Sequence, residues 1–318
     1  MVVLVTGATG FVGRAVINKL AFHPGFTPRA TVRRVNHHLP SMVATVTIGD
    51  LVPDTDWSTA LQGVDVVIHL AARAHVLKEV SSEPLDEFRK INVAGTLNLA
   101  RQAVTAGVKR FVFISSIGVN GNRNDRPFTE DDIPNPVEPY AVSKMEAEKS
   151  LRQLADVTEM EVVIIRPPLV YGPNAPGNFG LLFSAVDKGI PLPLGAIHNQ
   201  RSLVALENLV DLIVTCIDHP AAANQIFLAG DGEDLSTTEL LQRMAKALGK
   251  KSRLIPVPVK LLEVGAALLG RRDMAQRLCG SLQVDITKAR TLLGWNPPIS
   301  VDEGLRRTAQ GFLHEKTV

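Results

Sequence analysis

A tyrosine, a serine and a lysine stand together in the stretch YAVSKMEAEK, Tyr140 to Lys149, and the chain has only one other tyrosine, Tyr171. Lys144 follows Tyr140 by four residues, so on a helix the two side chains share a face. An unperturbed phenol titrates at about 10 and needs help to exchange protons near neutrality. A neighbouring ammonium favours the phenolate, as would a positively charged ring nearby. Ser115 and Ser116, closing the run FVFISS, offer a hydroxyl to hold a reacting oxygen. These groups could run acid–base chemistry at an oxygen whose carbon gains or loses hydride. Alone the signal is weak, because Tyr-x-x-x-Lys also arises where a tyrosine merely packs and a lysine is solvated.

Such groups need a rigid edge to hold them. Six short runs read as strands: Val2–Thr6, Arg29–Val32, Thr45–Ile48, Asp65–Leu70, Arg110–Ser115 and Val162–Arg166. Most are apolar almost throughout, as strands buried on both faces are. Helical patterns lie between many of them, at Phe11–Ala21, roughly Pro84–Ala106 and Glu138–Ala155. The alternation implies an α/β fold with a doubly wound parallel sheet of Rossmann type. After Arg166 the run RPPLVYGPNAPGNFG is loop-like, and Ser202–Val204, Asn208–His219 and Gln225–Leu228 read as a strand–helix–strand rejoining the sheet. Helices near Thr237–Leu248, Pro258–Leu269, Thr287–Leu293 and Asp302–Phe312 make a smaller C-terminal domain.

TGATGFVG follows the first strand and opens the first helix, with Gly7, Gly10 and Gly13 in the spacing of a dinucleotide loop. The first glycine permits a tight turn, the second lets backbone approach a pyrophosphate, and the third lets helix and strand pack closely. Phe11 and Val12 open a helix whose free N–H groups suit an anion. An Asp or Glu about 20 residues further on would hold a ribose 2′-hydroxyl. Here Arg33 and Arg34 stand there instead, and no acid follows until Asp50. A guanidinium suits a 2′-phosphate, so NADP(H) is favoured over NAD(H), although two solvated arginines would look the same. Asp50 is placed to accept from an adenine amino group or simply to cap its loop. The expected division is 1–167 with about 202–229 for the dinucleotide-binding domain, and about 168–201 with 230–318 for a substrate-binding domain.

The remaining composition narrows the class. Thirty-four basic and 32 acidic residues are interspersed, leaving no basic stripe for nucleic acid. Two cysteines, Cys216 and Cys279, suit a reducing compartment, and no secretory signal or membrane-spanning run is visible. A cytoplasmic protein without a membrane or nucleic-acid partner is expected. The pair His37–His38 lacks carboxylates or thiols at ligand spacing, so no metal is expected. His69 reads as a satisfied core residue, and FTEDD, from Phe128 to Asp132, as a solvated or substrate-covering loop.

Taken in order, TGATGFVG, GDL, HLAA, NVAGTLNL, SSIGVNG, YAVSK, RPPLVYGP and KARTLLGWNPPISVDEGL resemble the motifs of the extended short-chain dehydrogenases/reductases over nearly the whole chain. Within that family the chain looks like the nucleotide-sugar 4-epimerases, 4,6-dehydratases and 4-ketoreductases. By this resemblance Ser116, rather than Ser115, matches the catalytic Ser/Thr and contacts substrate. Tyr140 and Lys144 match the catalytic pair, which also touches the cofactor. Asp50 and Leu51 of GDL fall in the cofactor site; Leu70, Ala71 and Ala72 match residues beside the nicotinamide, and Asn92 an asparagine supporting it. Asn178 and Arg201 match residues facing the sugar nucleotide, with Arg277 a second arginine aligned more loosely. One departure is Leu169, which stands where the family has an asparagine. The likeness is greatest to NADPH-dependent bacterial reductases that make UDP-N-acetylquinovosamine from a UDP-4-keto-6-deoxy sugar. It leaves open a UDP-hexose 4-epimerase holding NAD, a reductase of non-nucleotide ketones and a non-catalytic NADP-binding sensor. It also implies a homodimer through the helices near 84–106 and 138–155.

Overall fold

The protein, seen here as a computed structural model, is described over residues 1–34, 39–74 and 84–315; the histidine pair His37–His38 lies outside them. Ten strands form: β1 (Val2–Thr6), β2 (Thr27–Val32), β3 (Ala44–Thr47), β4 (Val66–His69), β5 (Arg110–Ile114), β6 (Glu161–Arg166), β7 (Leu169–Tyr171), β8 (Arg201–Ala205), β9 (Ile226–Leu228) and β10 (Asp234–Leu235). Around the first half lie helices α1 (Phe11–Ala21), α2 (Ser58–Leu61), α3 (Pro84–Phe88), α4 (Thr96–Thr105) and α5 (Pro139–Ala155). The second half adds α6 (Asn178–Asp187), α7 (Leu206–Asp218), α8 (Thr237–Ala247), α9 (Val259–Leu268), α10 (Arg272–Cys279), α11 (Thr287–Leu293) and α12 (Val301–Glu315).

Seven strands make one parallel sheet in the order β3-β2-β1-β4-β5-β6-β9. Because strand side chains alternate between faces, each apolar strand serves two cores. Val3, Val5, Val112, Ile114, Val163 and Ile165 face one side, where Val16, Ile17 and Leu20 of α1 and Leu209, Ile213 and Cys216 of α7 cover them. Leu4, Phe111, Phe113, Val162 and Ile164 face the other, under Leu99 and Ala103 of α4 and Ala147 and Leu151 of α5. Each of the Val, Leu, Ile and Phe side chains contributes about 1.5–3 kcal/mol by leaving water. All seven strands run the same way, so β1, β4, β5 and β6 deliver their carboxyl ends to one edge.

Two differences from the sequence reading concern how that edge is built. The helix expected over 84–106 is interrupted by a π-helical segment, Arg89–Gly95, between α3 and α4. A π turn is one residue wider than an α turn and recurs at functional sites. Its Gly95 presses on the loop after β3, where an added Cβ would stand 3.0 Å from the Leu51 side chain. The strand expected at Ser202–Val204 does not rejoin the main sheet. The place beside β6 belongs to β9, while β8 pairs in parallel with β7 and antiparallel with β10 in a small second sheet. The chain thus crosses between layers at Ala205–Leu206, where β8 gives way to α7. Behind the small sheet a third core gathers Tyr171, Phe179, Phe183, Leu241, Met244 and Leu305.

Candidate active site

At the end of β1, Gly7 takes φ +66° and its backbone presses on the end of β4: a Cβ there would stand 2.7 Å from the Ala71 nitrogen. At Gly13 a Cβ would fall 2.1 Å from the Gly7 carbonyl oxygen, so only glycine lets α1 approach the turn. Gly10 donates to the Gly7 carbonyl at 2.9 Å and precedes α1, and no side chain caps that helix. The N–H groups at Phe11 and Val12 therefore begin a helix whose positive end suits an anion. This cradle fits a dinucleotide pyrophosphate.

Neutral hydrogen bonds lock β4 beside the loop. His69 shares bonds with Thr6 Oγ1 at 2.7 Å and Thr96 Oγ1 at 2.9 Å, and the Ala71 N–H donates to Thr6 Oγ1 at 3.3 Å. Burial pulls the imidazole down to about 3, which keeps it uncharged. His69 is a core clamp, as the sequence suggested, and the half-buried Leu70, Ala71 and Ala72 follow it along the edge. The π segment places Asn92 opposite: its side chain accepts from the Arg73 N–H at 2.8 Å and donates to the Arg73 carbonyl at 3.1 Å and Ser143 Oγ at 3.0 Å. Asn92 thus ties the β4 loop to α5.

At the β2 end Arg33 and Arg34 are both exposed. Asp50 stands 3.4 Å from the Arg33 guanidinium, with both side chains about three-quarters or more open to solvent (80% and 76%). An exposed pair of this kind is weak and readily exchanges partners.

Helix α5 begins with Pro139 at its first position, where the missing N–H costs nothing. Lys144, Ala147, Glu148 and Leu151 form its buried stripe, so two charged residues occupy core positions. The Lys144 ammonium lies 4.2 Å from the Phe113 ring centroid and 6.0 Å from that of Tyr140. Burial pulls Lys144 down to about 7, partly offset by Glu148. Tyr140 is half-buried, edge-on to Phe88, and burial pushes its phenol up to about 12. The lowering expected from Lys144 is not found: the ammonium is drawn over Phe113, and desolvation acts alone on the phenol.

The two serines at the β5 end divide. Ser115 is buried and donates to Glu148, while Ser116 is half-buried and its Oγ accepts from the Gly118 N–H at 3.1 Å. Ser116 therefore keeps its own proton for another acceptor. Glu148 also receives a forked pair of bonds from Arg166, which donates to Asn120 Oδ1 at 3.0 Å. This buried knot of Glu148, Arg166, Ser115 and Asn120 escaped the sequence reading. Its only linear signals were an acid four residues after Lys144 and an arginine closing the apolar strand VVIIR.

Beyond Asn120 a cleft of about 750 Å³ runs past Phe128, Ile133 and Val137 to Gln276 of α10. Its wall is not loosely solvated. Phe128 exchanges backbone bonds with Gln283 and Asp285, and Glu130 accepts from the Leu228 N–H at 3.0 Å. Arg201 and Arg277 come close enough for the charge on Arg277 to depress Arg201, after burial as the main cause. Arg201 donates to the Gly280 carbonyl at 3.1 Å, and Arg277 to Glu138, two residues before Tyr140, at 2.7 Å. Asn178 opens α6, but its side chain lies outside what is described. Leu169 begins β7, paired with Leu203 and 48% exposed. Among the described residues no cluster of His, Cys, Asp or Glu could hold a metal ion, and no helix is long and apolar enough to cross a membrane.

Residues 3–230 match the NAD dependent epimerase/dehydratase family. A protein of Vibrio cholerae named UDP-glucose 4-epimerase is 48% identical over 314 residues, covering 98% of this chain and 95% of that one. The solved structure of MoeE5 in complex with UDP-glucose and NAD is 25% identical, with full coverage of both chains and a TM-score of 0.78. RMD from Pseudomonas aeruginosa, solved with NADPH, shares the fold at 22% identity and a TM-score of 0.75, covering 100% of this chain and 99% of that one. With the glycine cradle, the seven-stranded parallel sheet and these matches together, the chain belongs to the NAD-dependent epimerase/dehydratase family of short-chain dehydrogenase/reductase enzymes.

Proposed function

We propose that this enzyme transfers hydride at C4 of a nucleotide-linked sugar. The observation that carries the proposal is Lys144: a lysine 2% exposed, one turn from Tyr140 and against β5, whose carboxyl end leads into Ser116. A charge-bearing side chain is not buried at such cost without a partner to serve. Tyr140 gives the proton to the C4 oxygen in reduction and takes it in oxidation, Ser116 holds that oxygen, and Lys144 steadies the ribose and the phenol. Gly7, Gly10, Gly13 and the start of α1 hold the pyrophosphate, with Leu51, Leu70, Ala71 and Ala72 along the cofactor and Asn92 behind them. A bound nicotinamide dinucleotide supplies or accepts the hydride. Arg33 and Arg34, standing where an acid would hold a ribose 2′-hydroxyl, support NADP(H) over NAD(H).

Arg201 and Arg277 face the diphosphate of the substrate in this reading, and Asn178 the sugar nucleotide. Arg277 depresses Arg201 and is itself held by Glu138, and a diphosphate between the two guanidiniums would offset their repulsion. The small sheet, α6 and α8 to α12 act as the substrate-binding part, and the protein works in the cytoplasm with its two unpaired thiols. The outer faces of α4 and α5 pair across a two-fold axis to give a homodimer.

The favoured reaction is reduction of a UDP-4-keto-6-deoxy-N-acetylhexosamine to UDP-N-acetylquinovosamine, the basic β2 end supporting an exchangeable NADPH. A second reading, UDP-hexose 4-epimerisation, is supported by the name of the Vibrio cholerae relative. The purified protein decides between them. NADPH oxidation with the 4-keto substrate upholds reduction; tightly retained NAD, with UDP-glucose and UDP-galactose interconverted without added NADPH, defeats it.

A further inference from the structure

Helix α9 has no buried residue. Leu261, Val264, Leu268 and Leu269 are 63%, 57%, 84% and 76% exposed. Positions 261, 264 and 268 fall in one stripe along the helix, and contiguous apolar surface of this kind marks a contact. Lys260 stands one turn before Val264, and Arg271 and Arg272 follow the helix end. All three are exposed, and none forms an ion pair among the described residues. From Gly249 to Gly280 the chain carries seven basic and two acidic residues; Lys250 and Arg277 pair with Asp187 and Glu138, which leaves five basic against two acidic residues.

We propose that α9 docks the protein peripherally on an anionic lipid bilayer. The helix lies in the interface with Leu261, Val264 and Leu268 turned to the acyl boundary, while Lys260, Arg271 and Arg272 meet lipid phosphates. Charge selects this occupant over a second copy of the chain. A two-fold contact would set the patch against itself and bring the unpaired Lys260, Arg271 and Arg272 of one copy towards those of the other. No spanning segment is needed, because the contact is peripheral. Helix α10, packed on α9, carries Gln276 at the rim of the cleft and Arg277 beside the start of α5. Docking by α9 therefore sets the cleft mouth next to the membrane surface, where substrate can arrive or product leave at a membrane-bound enzyme.

The full chain is sedimented with vesicles of phosphatidylglycerol and phosphatidylcholine, and with phosphatidylcholine alone. The proposal expects binding to the anionic vesicles only, weakened about fivefold for each of Arg271→Gln and Arg272→Gln. It also expects loss of binding in the Leu261→Glu/Leu268→Glu double variant, with its melting temperature kept. Absence of binding to anionic vesicles at low salt overturns it. So does binding that survives the double leucine change, which is mere electrostatic adsorption. Sedimentation velocity showing a wild-type dimer that Leu268→Glu dissociates would assign the face to a second copy instead.

Discussion

The chain's two tyrosines occupy opposite kinds of site. Tyr171 is fully buried in the third core; its hydroxyl donates to Asp231 at 2.8 Å and lies 3.4 Å from the Val301 carbonyl. Asp231 accepts in turn from the Ala205 N–H and the Asn208 side chain, so one carboxylate fastens β7, the crossing into α7 and the approach to α12. Tyr140 is half-buried, and among the described residues its hydroxyl bonds to nothing. Burial raises both phenols, but at Tyr171 the Asp231 charge adds to it and the proton is locked in a structural bond. The Tyr171 hydroxyl is engaged by Asp231, whereas that of Tyr140 has no partner among the described residues. The difference separates a tyrosine that holds the fold from one available to a substrate.

Phenylalanine substitution tests that separation most sharply. Tyr140→Phe is expected to cut kcat by about 10²- to 10⁴-fold, the usual contribution of a positioned general acid or base, while the melting temperature stays within error. Unchanged NADPH oxidation in this variant would remove the phenol from the chemistry and break the comparison.

The ground beneath Tyr140 is the Glu148–Arg166 pair, both members 3–4% exposed. Glu148→Gln leaves a guanidinium buried without its charge partner, and a stability loss of about 3–5 kcal/mol is expected in urea unfolding. The same change removes the one group that raises Lys144 against burial. In the wild type the phenol, at about 12, stays protonated through the neutral range, whereas Lys144 loses its proton above about 7. The pH profile of kcat/KM for the proposed ketone reduction should therefore fall on its alkaline side near 7, and Glu148→Gln should move that fall to lower pH. An unmoved limb would confine Glu148 to holding the fold.

Tyr171→Phe is the converse. It strips one bond from a buried carboxylate, so about 1–3 kcal/mol of stability should go. Activity per folded molecule should not change, and a large fall in kcat with stability intact would contradict the assignment.

Much of this contrast was legible in the sequence, for identifiable reasons. The glycine spacing, the apolar strands and Tyr140–Lys144 are local patterns, and strand bounds fell within a residue or two of those found. Ser116 was separable from Ser115 only by resemblance; in the structure Ser115 is engaged by Glu148, a contact with no signal in the sequence. What escaped depends on contacts remote in sequence. Glu148 looks like an ordinary helix acid until β6 brings Arg166 to it. The strand at 201–205 is apolar enough for either sheet, and only the seat of β9 beside β6 excludes it from the larger one. The π segment has no linear signature, because a helix periodicity changes little over seven residues.

The smallest effect lies at the far end of the cofactor site, and it separates the tyrosines without touching either. If Tyr140 works beside a dinucleotide whose 2′-phosphate meets Arg33, then Arg33→Ser should weaken NADPH while leaving NADH nearly unchanged. Charge-assisted bonds to phosphate are strong when shielded, but this guanidinium is 80% open to solvent and already shared with Asp50. About tenfold in KM for NADPH, or roughly 1.4 kcal/mol, is the expected size, shrinking as salt is added. Melting without cofactor should not move, because an exposed pair at 3.4 Å contributes little and Tyr171 lies in another core. A variant that loses NADH and NADPH equally would show that Arg33 shapes the loop instead of reading the phosphate, and the preference for NADP(H) would fall while the contrast between the two phenols stood.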